Sequence, residues 1–187
     1  MTRSGRILGW CALSVFLLAR PAPVTAQTNE TPTVEIGGGL QFLHVPDETY
    51  PFGVNFDLSG PAGGHDRVRW VAEGGMAQDQ PIPGEDTLRF YHFGAGVRLM
   101  PIERGRAAPF VQLLAGVAGA NARRSTDPAI ATLDSSWGPM VQPGLGVSVP
   151  LNHWVAVVGQ GDYRFAIFSG RVDNEFRLSV GARFMLW

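Results

Sequence analysis

The residues of this chain that could do chemistry are four histidines, His44, His65, His92 and His153, and a scatter of serines and carboxylates. A histidine works as a general base only when a nucleophile lies within hydrogen-bond reach and a third group orients the ring. The chain has no His-x-Ser pair, and Ser125, Ser135, Ser136 and Ser169 fall in segments that read as loops. Only His92 falls clearly within a regular polar face, where a solitary histidine reads as a hydrogen-bonded interior residue. No two histidines have the close spacing of a zinc site. Asp79, Glu85, Asp86, Asp127 and Asp134 lack calcium-loop spacing. Gly94-Ala95-Gly96 and Gly144-Leu145-Gly146 lack the helix that follows a nucleotide-binding turn and read as small residues making room in an interior. These patterns predict no catalytic site, no metal and no cofactor.

The chemistry that remains is charge pairing. Glu35, Asp57, Glu73 and Asp162, with Arg67, Arg69, Arg98, Arg164, Arg177 and Arg183, all fall on the polar faces of alternating segments. Confined together, carboxylates and guanidinium groups should pair, because an isolated buried charge carries a desolvation cost of several kcal/mol, as an order of magnitude. Every basic residue is arginine, whose planar fork suits carboxylates in a confined space.

Strands must position that network. From Glu175 to the end, Phe176, Leu178, Val180, Ala182, Phe184 and Leu186 alternate with Arg177, Ser179, Gly181 and Arg183, which is the period of a β-strand. The length matches the roughly 9 to 11 residues a tilted strand needs to cross the hydrocarbon of a bilayer. Similar patterns predict eight strands, at about 33 to 45, 51 to 59, 66 to 78, 87 to 100, 108 to 121, 136 to 149, 153 to 165 and 175 to 187. The fifth, with Phe110, Val111, Leu113, Leu114 and Val117, is apolar on both faces and does not declare its orientation. The sixth contains Pro139 and Pro143, so Pro143 must sit at a bulge or distort a ladder. Links after strands two, four and six (59–65, 101–107, 150–152) are turn-rich, while those at 79–86, 122–135 and 166–174 are polar.

The other end reads as an export signal. Arg3 and Arg6 precede a mostly apolar run from Ile7 to Ala19, and Val24-Thr25-Ala26 offers a cleavage point after Ala26. The expected mature domain is 27–187, 161 residues without Cys11, the only cysteine, so no disulfide framework is possible. Removing Arg3, Arg6 and Arg20 leaves 12 basic against 16 acidic residues, a net charge of −4 that gives no pull toward nucleic acid. Twenty-four glycines and fourteen prolines with few helical runs favour an all-β chain.

The signal, the eight segments and the closing stretch from Phe176 to Trp187 resemble the outer-membrane β-barrel domain family that includes the OmpA transmembrane domain and the OmpX-like proteins. The resemblance implies an all-β, eight-stranded antiparallel transmembrane up-and-down barrel in the bacterial outer membrane. It further implies outer-membrane lipid around the barrel, and barrel-assembly machinery reading the aromatic C-terminus during biogenesis. The chain departs from that pattern in one respect: the apolar register belongs to Leu186, not to Trp187. An eight-stranded barrel is wide enough only for its own side chains. The expected role is therefore non-enzymatic, in envelope integrity or contact with a surface ligand whose identity the sequence leaves open. The alternatives are a narrow pore, a lipid A modifying enzyme and a soluble lipocalin-like carrier; the carrier would put the apolar face inside.

Overall fold

The computed structural model describes residues 32–44, 49–63, 65–78, 87–101, 107–123, 133–168 and 171–187. The expected signal segment, with Cys11, and Asp79, Glu85, Asp86, Ser125, Asp127 and Ser169 lie outside the described residues.

Eight strands follow one another in order: β1 (Val34–His44), β2 (Thr49–Ala62), β3 (His65–Gln78), β4 (Thr87–Leu99), β5 (Ala108–Arg123), β6 (Leu133–Pro150), β7 (Val155–Phe168) and β8 (Arg171–Leu186). Each pairs antiparallel with the next, and β8 closes on β1, so the sheet has no free edge. Closure aligns Leu40 with Val180 and Gly37 with Arg183. Both described ends of the chain lie at one end of the barrel, here the terminal end; the opposite end is the loop end.

Period-two alternation becomes a radial sorting of side chains. Leu40, Phe52, Phe56, Phe93, Leu113, Leu145, Leu178 and Phe184 point outward and are exposed, while Glu35, Asp57, Glu73, Arg98, Asp162 and Arg177 are buried in the lumen. The ambiguous β5 resolves in the same way, with Val111, Leu113 and Val117 outside and Phe110, Gln112, Leu114 and Ala118 inside. Phe110 has a reason to be there. Its ring lies under two lumen guanidinium groups, 4.6 Å from Arg98 and 5.7 Å from Arg183.

Several sequence expectations need correction. The link expected over 166–174 is mostly strand: β7 runs to Phe168 and β8 resumes at Arg171. Alternation continues there, since Ala166 is buried inside while Ile167 and Val172 are exposed outside. The link expected over 59–65 is similarly shorter. Ser59 is a buried lumen residue, and the reversal uses Gly63 at φ 62°, a backbone conformation glycine adopts without strain. Pro143 meets the second of its two expected outcomes, a distorted ladder without a bulge. The β6–β7 ladder omits Gln142 and Pro143 and then resumes at Gly144↔Asp162 in unchanged register, while pairing with β7 begins only at Met140, beyond Pro139.

Two lumen aspartates face glycine directly across the ladder, Asp57 opposite Gly37 and Asp162 opposite Gly144. A Cβ at either glycine would run into the facing carboxylate. The Gly144→Val protein should therefore be less stable by about 1–3 kcal/mol, the usual cost of overpacking. Denaturant titration in lipid vesicles measures it; an unchanged midpoint would mean that Asp162 can move aside freely.

Exposed Trp and Tyr rings lie toward both ends of the outer surface, while Phe56 and Phe93 lie at mid-strand. Trp70, Trp154 and Trp187 lie toward the terminal end, and Tyr91, Trp137, Tyr163 and Phe165 toward the loop end. Tyr91 stacks on Trp137 with centroids 6.5 Å apart. The nine residues from Trp154 to Tyr163 along a strand tilted about 40° span roughly 23 Å of height, close to the ~25 Å apolar band of membrane barrels. Trp187 lies beyond the last strand pair: its ring stacks on His153 at 4.3 Å and its Nε1 donates to the His153 carbonyl at 3.0 Å.

Candidate functional site

The lumen holds nearly all the buried charge among the described residues. Arg69, Arg98, Arg164, Arg177 and Arg183 face Glu35, Asp57, Glu73, Asp162 and Glu175, five cations against five anions. The pairs form two groups along the barrel axis.

The group nearer the terminal end centres on Arg183. Its Nε lies 3.6 Å from Glu35, and its Nη2 donates to Asp57 at 3.3 Å. Arg98 reaches the same Asp57 oxygen at 3.5 Å, and Arg69 lies 3.6 Å from Glu35 while donating to the Pro32 carbonyl at 3.0 Å. Ser59 donates its hydroxyl to Glu35 at 3.0 Å.

The central group is tighter. Arg177 lies 2.7 Å from Glu73 and 2.6 Å from Asp162. It also donates to Gln41 at 3.3 Å and lies 3.1 Å from His92 Nε2. Gln160 donates to both Glu73 and Asp162, and Gln142 donates to Glu73 while accepting from Arg164 at 2.8 Å. Arg164 completes a pair with Glu175 at 2.9 Å. Gln112 joins the two groups by accepting from Arg98 at 2.9 Å and donating to Asp162 at 3.3 Å. A continuous polar chain therefore runs from Arg69 to Glu175 along the barrel axis.

Of the ten residues expected in this network, nine are buried and paired in it. Arg67 is the exception: it shares the inward parity of Arg69 but lies near the start of β3, where the side chain is exposed. Glu35, Arg177 and Arg183 do share one strand pair, β1–β8, as closure requires, but Glu35 pairs with Arg183 and not with Arg177. Glu175, Gln112 and Gln142 were not anticipated. Glu175 has the parity of Arg177 but borders a segment that reads as loop, Gln112 sits in the strand that is apolar on both faces, and Gln142 lies between two prolines. An earlier start to the last strand would have placed Glu175, whereas Gln112 and Gln142 lie inside expected strands whose inward face the local pattern does not mark.

The arrangement pairs charge with charge across the lumen and can hold a barrel closed. His92 is buried with its Nε2 3.4 Å from Glu73 and 3.1 Å from Arg177. Among the described residues, no group of three or more His, Cys, Asp or Glu side chains is placed to hold a metal ion.

No protein-family description and no curated protein sequence matches the chain. Solved structures do. Neisserial surface protein A superposes with a TM-score of 0.64 at 12% identity, over 82% of this chain and 96% of that one. The chain has the fold of outer-membrane β-barrels. Ail, the attachment invasion locus protein of Yersinia pestis, superposes with a TM-score of 0.55 at 11% identity, over 83% of this chain and 99% of that one. The N-terminal β-barrel domain of Pseudomonas aeruginosa OprF gives 0.53 at 12% identity, over 83% and 98%. At such identities the likeness speaks for the barrel and not for what its loops do. The soluble-carrier alternative requires apolar side chains inside, and the observed polarity is the reverse.

Proposed function

We propose that the chain is a non-enzymatic protein of the bacterial outer membrane, whose plugged barrel anchors and displays its outer loops for envelope integrity or contact with a surface ligand. The observation that carries this reading is the radial inversion: large apolar side chains cover the wall while five paired cations and anions fill the lumen. A wall of that kind suits lipid, and a lumen of that kind suits a closed barrel of this size. The terminal end then faces the periplasm, where the assembly machinery meets the C-terminus. Ail, described as an attachment protein, and Neisserial surface protein A have the same fold, which favours a surface role over a carrier. Among the described residues, no feature favours a lipid A modifying activity or a narrow pore over this reading.

The test is fractionation of the exported protein combined with gel migration with and without boiling. A folded barrel should accompany outer membranes and shift in mobility on heating in detergent. Recovery in the soluble periplasmic fraction would overturn the reading.

The closed lumen carries its own prediction. Glu35→Gln with Asp57→Asn removes both carboxylates that hold Arg183, together with the carboxylate partner of Arg98 and the Glu35 contact of Arg69. Planar-bilayer recordings should show anion-selective leak absent from the parent protein, with reduced stability in detergent. Unchanged conductance and unfolding together would mean that these charges do not close the lumen.

A further inference from the structure

The lumen is not uniformly filled. Toward the loop end its lining is apolar: Leu43, Ala77, Phe90, Ala118, Met140 and Ala166 form one buried cluster, with Ala120 and Phe168 packed on it. Phe90 meets Phe168 edge to face at 6.4 Å, and Arg164 lies over the Phe90 ring at 5.4 Å. This plate covers the central charge group, whose paired side chains are at most 1% exposed. In the other group, Glu35 and Asp57 retain 6% and 11%. Access to water therefore rises toward the terminal end.

Between the two charge groups, on the side formed by β7, β8, β1 and β2, lies a hollow of about 20 Å³ lined by Asn55, Asp57, Val158, Gln160 and Ser179 and by the backbone of Gly39. One water needs roughly 10–15 Å³ and two to four polar partners. Asn55 Oδ1 is buried with no hydrogen-bond partner. The Gln160 amide nitrogen is already committed to Glu73 and Asp162, which leaves its carbonyl oxygen as an acceptor beside the hollow. Ser179 adds a hydroxyl that can donate or accept.

We propose that this hollow is a binding site for water, held by Asn55, Ser179 and Gln160, reached from the terminal end and shut off from the loop end by the Phe90–Met140 plate. Resting on the membrane-barrel reading, it adds a specific guest and a direction of entry. Two acceptor oxygens and a hydroxyl call for a guest with protons to donate. Since the five buried arginines and five buried carboxylates already balance, the guest is neutral. Water beside the continuous side-chain network satisfies the Asn55 oxygen, which would otherwise carry a desolvation cost.

Water-edited solid-state NMR on the protein in lipid bilayers tests this. Magnetisation should pass from water to the Asn55 and Ser179 side chains several-fold faster than to Ala118 and Met140. Asn55→Leu should slow the transfer to Ser179 while the protein still folds, and Ser179→Ala should slow that to Asn55. Equal transfer to Asn55 and Met140 would overturn the site, and so would a shift at Asn55 that depends on sodium or ammonium, because the guest would then be a cation. Mobility on unboiled gels, read from the same preparation, reports separately whether the membrane barrel has formed.

Discussion

Replacing Arg177 with leucine should cost about 3–5 kcal/mol of folding stability, the range for breaking one partner out of a buried ion pair. Arg177 is fully buried and touches two carboxylates, Glu73 at 2.7 Å and Asp162 at 2.6 Å. Leucine leaves both anions in the lumen without their guanidinium, and Gln160 and Gln142 supply only neutral donors in its place. Removing the charge on all three, as Arg177→Leu with Glu73→Gln and Asp162→Asn, should restore much of the loss, since the penalty comes from unpaired charge and not from missing attraction. Urea titration in vesicles, followed by tryptophan fluorescence, compares the two proteins. A triple variant as unstable as the single one would show that Arg177 matters for packing and not for pairing.

Arginine at Val180 should cost about 2–4 kcal/mol, the penalty for a cation facing lipid near the bilayer midplane. Val180 is 47% exposed on the outer wall, between Leu40 on β1 and Gly159 on β7, away from both aromatic belts. Val97 is equally exposed on the outer wall, at 46%, and Val97→Arg should cost a similar amount. Refolding titrations in bilayers of one composition compare both variants with the parent protein. Stability unchanged at both positions would contradict the assignment of these side chains to lipid.

Which face of each strand meets the lumen was legible wherever charge and apolar side chains alternated. In β8 every second residue names its side, from Phe176 outside and Arg177 inside to Phe184 outside and Arg183 inside. In β5 Phe110 and Leu114 break that code, because cation–π contact with Arg98 and packing within the lumen let apolar residues sit inside. Strand ends were harder to place. Ser59 and Glu175 border turn-forming residues, yet both continue the inward alternation and bind lumen partners, Glu35 and Arg164. Individual pairs were out of reach, since they depend on register between strands distant in sequence. Gln142 and Glu73 lie sixty-nine residues apart and still share a hydrogen bond of 3.1 Å. The apolar plate was missed for a related reason: it assembles single residues from six strands, and no one of them marks it locally.

The central claim is that the wall faces lipid and the lumen does not, and Leu113 and Leu114 test it with adjacent residues of the same type. Leu113 is 52% exposed on the outer wall, and Leu114 is fully buried in the lumen. Cross-relaxation between methyl-labelled leucines and valines and lipid acyl chains, measured on the protein in nanodiscs, separates them. The account predicts strong acyl-chain contacts for the Leu113 methyls, matched by Val180 and Leu178, and none for Leu114 or Leu43. Acyl-chain contacts at Leu114 with none at Leu113 would mean that the barrel is turned inside out, with its charges facing water, and the membrane account would be wrong.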